Sequence, residues 1–533
     1  KPFRTMPVLT ALRPMTPAMK RRLPRGVGVW MGLFLAVALW TLCSPCQRAG
    51  RLVLGRIGSA IGGVLLEIFI IVDRQWELPA LQEPSSGNCE GATVRVTKGL
   101  GSRGYGAVRV SAVCQMVSAD SDTRCAPAAA SDGGMQAFQE CDRFQHRWTN
   151  FHLSSSVIEV SPGEQKLRFN HTVGPLEVQV ALPPRGRGVH GIIIGDPCVS
   201  SRYFPNLCNS GWDVMNRLPA ILNLINSVDQ LDFVVILGDA FYDVLGDLSS
   251  DFFRRLSKRT QQVLMMSVPG NHDFWMYTPK APLPQDQLGF GFAQWYGQDT
   301  AATADSMGSL SKHWGPLLRS QRAPQPAQEH AGLLGAESFF FYHMIGDIGF
   351  LGYSGAHTWE SQEHLFQEAC SYFGQELPSQ VYLLGHWSEA DMGCQTGMDV
   401  PSLYAYLRDG LCSGVGQQMR YFMGHDHCNT PAPDGRGYLV GGGGARPSCG
   451  SWGFAYTDTR DSTQSSPSTR KSPSHFIGKF DIETPRGDHF WGLQTCIVEH
   501  RSLRACVPEY GEVWLNETTA DADPWSVLGL MAE

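Results

Sequence analysis

Short apolar runs that close on a glycine recur through the middle of the chain. They occupy 190–194 (His-Gly-Ile-Ile-Ile), 231–237 (Leu-Asp-Phe-Val-Val-Ile-Leu), 263–268 (Val-Leu-Met-Met-Ser-Val) and 381–384 (Val-Tyr-Leu-Leu), with a weaker one at 419–423. Runs of this length and β-branched content predict buried strands. Helical patterns fall between and after them, at roughly 212–227, 248–262, 361–373 and 401–410, so the alternation predicts an α/β fold. Pro219 should kink or restart the first of these helices. Upstream, alternating stretches at 94–96, 107–113, 157–160, 167–169 and 176–180 predict a small β-rich or irregular region over 76–185 that precedes the main domain at 186–520. Residues 337–343 and 348–353 predict a strand pair. The stretch 437–440 runs into Gly441–Gly444, where backbone must pass close to something, and further strands are expected near 476–483, 491–498 and 511–515. Two loop insertions, 276–335 and 457–475, interrupt the domain, and 521–533 reads as a tail. The first insertion directly follows Gly270-Asn271-His272-Asp273, and a loop that long beside a site is usually functional or disordered.

The first 75 residues follow a different pattern. Residues 1–26 carry seven Lys and Arg and no acid, and 27–42 are then almost wholly apolar. That reads as a signal peptide or signal anchor, and at sixteen residues the apolar run leaves cleavage open. An Arg-rich, acid-free start also fits a mitochondrial address. A second apolar stretch, 57–72, contains Glu67, which favours a packed or interfacial helix over a second crossing.

Composition adds two points. A net charge of −7 over 533 residues argues against nucleic acid as a partner. The fifteen cysteines are dispersed, and with sequons at Asn170 and Asn516 they favour an oxidising, secretory setting: membrane-anchored or secreted, lumenal or extracellular. The alternative is scattered thiols and unused sequons.

Five short pieces sit at or just past the apolar runs: Gly195-Asp196-Pro197-Cys198, Gly238-Asp239-Ala240-Phe241-Tyr242-Asp243, Gly270-Asn271-His272-Asp273, Gly385-His386-Trp387 and Gly424-His425-Asp426-His427. Ligands at the carboxyl ends of adjacent strands converge on one crevice in an α/β sheet. Carboxylate, amide oxygen and imidazole together suit divalent or trivalent first-row metals rather than a thiolate-type structural zinc.

In this order the pieces resemble the calcineurin-like metallophosphoesterase superfamily, over roughly 190–460. The Gly-Asp-x-Phe-Tyr form, Gly-His-Asp-His and Gly453-Phe454-Ala455-Tyr456 look like its purple acid phosphatase branch. The resemblance implies a four-layer α/β sandwich, two mixed sheets flanked by helices, behind the N-terminal membrane-targeting segment. It implies two metal ions bridged by Asp239, one also held by Asp196, Tyr242 and His427, the other by Asn271, His386 and His425. The implied reaction is hydrolysis of a phosphate monoester by a metal-bound hydroxide, with His272 offering a proton or hydrogen bond to the leaving oxygen and Asp273 fixing its tautomer. Asp243 and Asp426 are expected behind the ligands. A phenolate ligand implies Fe(III), paired with Fe(II), Zn or Mn. Two departures stand out: Cys198 replaces the usual Gly, and Ala240 the usual Asn. Cys198 fits a disulfide with Cys208, a plain buried thiol or, less well, a ligand. A phosphodiesterase of the same superfamily and a catalytically degenerate, membrane-tethered binding protein remain the alternatives. His343, His357 and Trp359, in the strand-pair region, read as packing residues, with lining of the pocket as the alternative.

Overall fold

A computed structural model describes residues 92–116, 135–146, 149–171, 174–198, 214–240, 247–273, 297–304, 335–390, 394–441, 443, 452–460, 474–480 and 512–513. The chain divides into two units, Lys1–Glu77 and Leu78–Glu533, and every described residue belongs to the second. The N-terminal segments, Tyr242, Asp243, Cys208, Asn516, the strand expected at 491–498, the tail and most of both insertions therefore lie outside the described residues. Among the described residues no helix is long and apolar enough to cross a membrane.

The apolar runs form strands as their pattern predicts. In chain order these are β1 (Thr93–Lys98), β2 (Ala107–Met116), β3 (Met135–Ala137), β4 (Glu140–His146), β5 (Thr149–Glu159), β6 (Gly163–Asn170), β7 (Leu176–Leu182), β8 (His190–Ile194), β9 (Phe233–Leu237) and β10 (Leu264–Val268). Then come β11 (Phe341–Ile345), β12 (Ile348–Gly352), β13 (Gln380–Leu384), β14 (Met419–Met423), β15 (Asn429–Pro431), β16 (Gly437–Val440), β17 (Trp452–Asp458), β18 (Ser474–Phe480) and β19 (Glu512–Val513). One mixed sheet has the order β19-β18-β17-β8-β9-β10-β1-β2-β5-β4, a second β11-β12-β13-β14-β16-β15, and a small third β3-β6-β7. The strands of 93–159 thus extend the sheet of the main domain: β1 pairs parallel with β10, Val96 opposite Leu264.

The sheets pack face to face. Phe233 of β9 meets Phe350 of β12 edge-on with centroids 4.8 Å apart. The Tyr382 hydroxyl of β13 bonds the Thr457 hydroxyl of β17 at 2.5 Å. Helices cover the outer faces. Within α1 (Val214–Val228) Pro219 lies inside one continuous helix, so the helix does not restart there. The single helix expected over 248–262 is two, α2 (Asp247–Arg255) and α3 (Lys258–Gln261), because Ser257 caps the second by accepting the Thr260 N–H. Phe253 of α2 lies 3.6 Å under the Arg95 guanidinium of β1. On the other side, a short α4 (Ala301–Ala304) precedes α5 (Trp359–Glu376), whose Phe373 packs over Gly349 where a Cβ would come within 2.6 Å. Tyr404 of α6 (Val400–Asp409) packs on Tyr421 of β14 with centroids at 4.8 Å.

The segment 297–304 is pinned to both sheets. Asp299 accepts from Arg103 Nε at 2.7 Å, Arg109 at 3.0 Å and the Leu100 N–H at 2.8 Å. Ala301 N–H donates to the Phe340 carbonyl. An anchored stretch therefore sits inside the expected loop insertion.

Candidate metal centre

The parallel strands set the site. β8, β9 and β10 run parallel in the first sheet, and β13 and β14 in the second. Asp196, Asp239 and Asn271 follow the first three; His386 follows β13; His425 and His427 follow β14. Strand direction within each sheet, with the two sheets packed face to face, therefore brings together residues more than two hundred positions apart.

Tight backbone makes this convergence possible. Six described non-glycine residues have positive φ, and five are Asp196, Cys198, Asp239, His425 and His427. Left-handed backbone away from glycine costs about 1–3 kcal/mol per residue and persists where the surroundings over-determine it. Gly238, at φ 81°, has no alternative, since a Cβ there would lie 2.5 Å from the Gly270 nitrogen.

The donors form two touching groups. Asn271 Oδ1 lies 3.1 Å from His386 Nε2 and 3.2 Å from His425 Nδ1, and His386 Nε2 is 3.5 Å from Asp239 Oδ1. On the other side His427 Nε2 is 3.6 Å from Asp196 Oδ1. Asp196, Asp239 and His386 each offer a ligand atom within 4.8 Å of the other two. The Leu237 carbonyl, 2.8 Å from His386 Nδ1, can only accept, so Nδ1 carries the proton and the Nε2 lone pair faces the cluster. The Trp387 ring stands perpendicular to this imidazole at 5.2 Å and fixes its plane.

This array matches a cation better than it matches itself. A lone pair of His386 faces the acceptor oxygens of Asn271 and Asp239 across 3.1 and 3.5 Å. Asp196 Oδ1 is fully buried with no hydrogen-bond partner among the described residues, a costly arrangement unless something positive binds it. Burial, then the charge of Asp239, pushes the Asp196 carboxyl well above the usual range, and the same causes raise Asp273. Asp239 is also opposed by burial, but His386 and His272 pull its pKa below the ordinary value. Burial takes His386 down to about 4 against the pull of Asp239. Metal bound among these groups would reverse the logic by stabilising all the carboxylates at once.

Residues 192–428 match the calcineurin-like phosphoesterase family. This part of the chain is a calcineurin-like phosphoesterase domain. No curated protein sequence matches the chain. A purple acid phosphatase from seeds of yellow lupin (Lupinus luteus) is similar over 69% of each chain, at 13% identity and a TM-score of 0.44. A conserved uncharacterized protein from Streptococcus pneumoniae, described as a predicted phosphoesterase, is similar over 54% of this chain and 98% of that one, at 11% identity and a TM-score of 0.20. Likeness at that level carries no weight for the chemistry.

Within the phosphoesterase domain most expected site residues come together. Asp196, Asp239, Asn271, His386, His425 and His427 form the cluster, and His272 sits beside it, its Nε2 3.8 Å from Asp239 Oδ2 and its N–H bonded to Asp239 Oδ1 at 2.8 Å. Asp273 has a different task from the one expected. Its carboxylate accepts the N–H groups of Asp239 at 2.8 Å and Gly270 at 2.7 Å, so it ties two ligand loops together and leaves the His272 ring to other contacts. Cys198 is disulfide-bonded and offers no thiolate. His343 is buried against Met266 and the Phe341 and Phe350 rings, away from these ligands. His357 contacts Ser354 and Phe339, and Trp359 stacks on Phe366. The Leu237 carbonyl and the Asp273–backbone contacts went unread in the sequence, because both depend on loop geometry.

Proposed function

We propose that the chain is a dinuclear-metal phosphoesterase of the purple acid phosphatase type that hydrolyses phosphate monoesters. The observation that carries this reading is the convergence of six oxygen and nitrogen donors at the carboxyl ends of five parallel strands, with Asp196 Oδ1 lacking a hydrogen-bond partner among the described residues. Asp196, His427 and Tyr242 would hold one ion; Asn271, His386 and His425 the other; Asp239 would bridge them. When bound, two such ions clamp phosphate oxygens and lower the pKa of water.

The protein side of the reaction is division of labour. The Leu237 carbonyl keeps the His386 lone pair aimed inward. Asp273 holds the Asp239 and Asn271 loops at fixed spacing. His272, whose side chain is 13% exposed beside Asp239, would donate a hydrogen bond or proton to the leaving oxygen. The buried Trp387 ring, perpendicular to the His386 imidazole, holds that ligand's plane.

Turnover of aryl monoesters against diesters tests the reaction. Monoesters should be preferred, and a preference for diesters would move the chain to the alternative within the same superfamily. Tyr242 tests the iron: a phenolate on Fe(III) absorbs visible light, and Tyr242→Phe should bleach it. A colourless native enzyme with zinc or manganese would refute iron and leave the phosphoesterase reading intact. For location, we propose a membrane-anchored or secreted protein, with Asn170 and Asn516 glycosylated in a glycosylating pathway. A full-length chain insensitive to glycosidase would count against it.

A further inference from the structure

Two disulfide-bonded cysteines stand beside candidate ligands. Cys198 is two residues past Asp196, and Cys428 directly follows His427. Both loops are held in left-handed backbone: Asp196 and Cys198 have φ of 49° and 51°, and His427 has 51°. The Asp196 N–H donates to the Gly238 carbonyl at 3.2 Å and the Cys198 N–H to the Asp239 carbonyl at 3.1 Å.

One strip of glycine backbone then stitches the two loops to each other. The Gly441 N–H donates to the Cys428 carbonyl and the Gly443 N–H to the Gly195 carbonyl, each at 2.8 Å. A Cβ at Gly441 would come within 2.7 Å of the His427 nitrogen and 3.0 Å of Asp196 Oδ2. Asp196 and His427 are the same two residues whose side chains face each other at 3.6 Å. The other half of the cluster is braced by different means: Asn271 through the Asp273 carboxylate on its own loop, and His386 through the Leu237 carbonyl and the Trp387 ring. Backbone held out of its preferred region relaxes when its surroundings loosen, and a cross-link in each loop adds a covalent restraint to these hydrogen bonds.

We propose that Cys198 and Cys428 are positioning residues whose disulfides hold Asp196 and His427 in ligating geometry. The metal these two residues ligate is then held tightly only while the disulfides are intact, and the Asn271–His386 half is far less sensitive. The inference rests on the dinuclear reading above.

The test uses the full chain loaded with metal. Cys198→Ser and Cys428→Ser are compared with wild type and with Cys370→Ser/Cys412→Ser, which removes the disulfide between α5 and the segment after α6. Ions per chain are counted after gel filtration, release to a chelator is followed over time, and near-ultraviolet circular dichroism monitors folding. Wild type and the control pair should hold two ions. Each single variant should stay folded and hold one ion tightly, the other weakened by roughly 10–100-fold, as when groups supporting a ligand are removed. Two ions with unchanged release in the single variants, or equal loss in the control, would overturn the proposal. Should a serine variant fail to fold, the loaded wild type is treated with a trialkylphosphine. Each disulfide then becomes two thiols while the phosphine takes oxygen from water as its oxide. Loss of one ion in step with thiol formation supports the proposal, and thiols without ion loss overturn it. A wild-type chain that binds no metal at all would overturn the dinuclear reading and this inference with it.

Discussion

Replacing Asp273 with Ala should cost stability before it alters chemistry. The carboxylate Oδ2 is the acceptor for two backbone N–H groups, Asp239 at 2.8 Å and Gly270 at 2.7 Å, in largely buried surroundings. Truncation leaves both donors buried without an acceptor, at about 1–3 kcal/mol each, so a loss of about 2–6 kcal/mol follows. Asp273→Asn keeps an oxygen in the same place and should recover most of that. Urea unfolding of both variants in chelator measures the stability, and the pH dependence of kcat after metal loading measures the chemistry. Because Asp273 directs its hydrogen bonds to backbone, the Asn variant should keep the wild-type pH profile. The reasoning fails if the Ala variant lies within about 0.5 kcal/mol of wild type, the range of an ordinary surface change. It fails equally if the Asn variant shifts the pH profile with stability intact, the result expected had Asp273 oriented His272.

Three further outcomes follow from packing. Gly424→Ala would put a Cβ 2.5 Å from Asp196 Oδ2 and 2.9 Å from His386 Nδ1, so calorimetric metal titration should show weakening of roughly 10–100-fold. Burial, then the nearby Lys98 charge, holds the His343 imidazole well below 6.5. Its unfolded form takes up a proton near pH 6.5 and the folded form resists it. Stability should therefore fall as pH drops through about 6.5, and His343→Leu should flatten that limb in thermal melts between about pH 4 and 7. Asp299→Ala removes the carboxylate that faces the fully buried Arg109 charge and Arg103, and urea unfolding should show a loss of about 3–5 kcal/mol.

The ligand set was legible because each donor directly follows an apolar strand, and a strand that ends on Gly-Asp, Gly-Asn or Gly-His announces itself locally. Helix limits were legible where a cap marks them: Thr358 and Asp399 begin α5 and α6 close to the predicted starts. Long-range pairing was not. Nothing in the alternation of 94–96 tells that Val96 will lie beside Leu264, so these strands read as a separate region instead of an extension of the main sheet. The break between α2 and α3 turns on one serine accepting one N–H. The anchored stretch at 297–304 hides in a loop-like composition because its hold comes from Asp299 reaching arginines nearly two hundred residues upstream. Sequence proximity pairs Asp273 with its neighbour His272, whereas in the fold its carboxylate accepts the Asp239 N–H from 34 residues upstream.

The most direct measurement is the number of metal ions per purified chain, for wild type and for Asp239→Asn. The account predicts two ions for wild type. It predicts loss of both occupancy and phosphoesterase turnover in the variant, since Asp239 contacts the His386 group and lies within 4.8 Å of Asp196 at once. A wild-type chain that turns over phosphate esters with no bound metal, or an Asp239→Asn chain that keeps two ions and full activity, would contradict it.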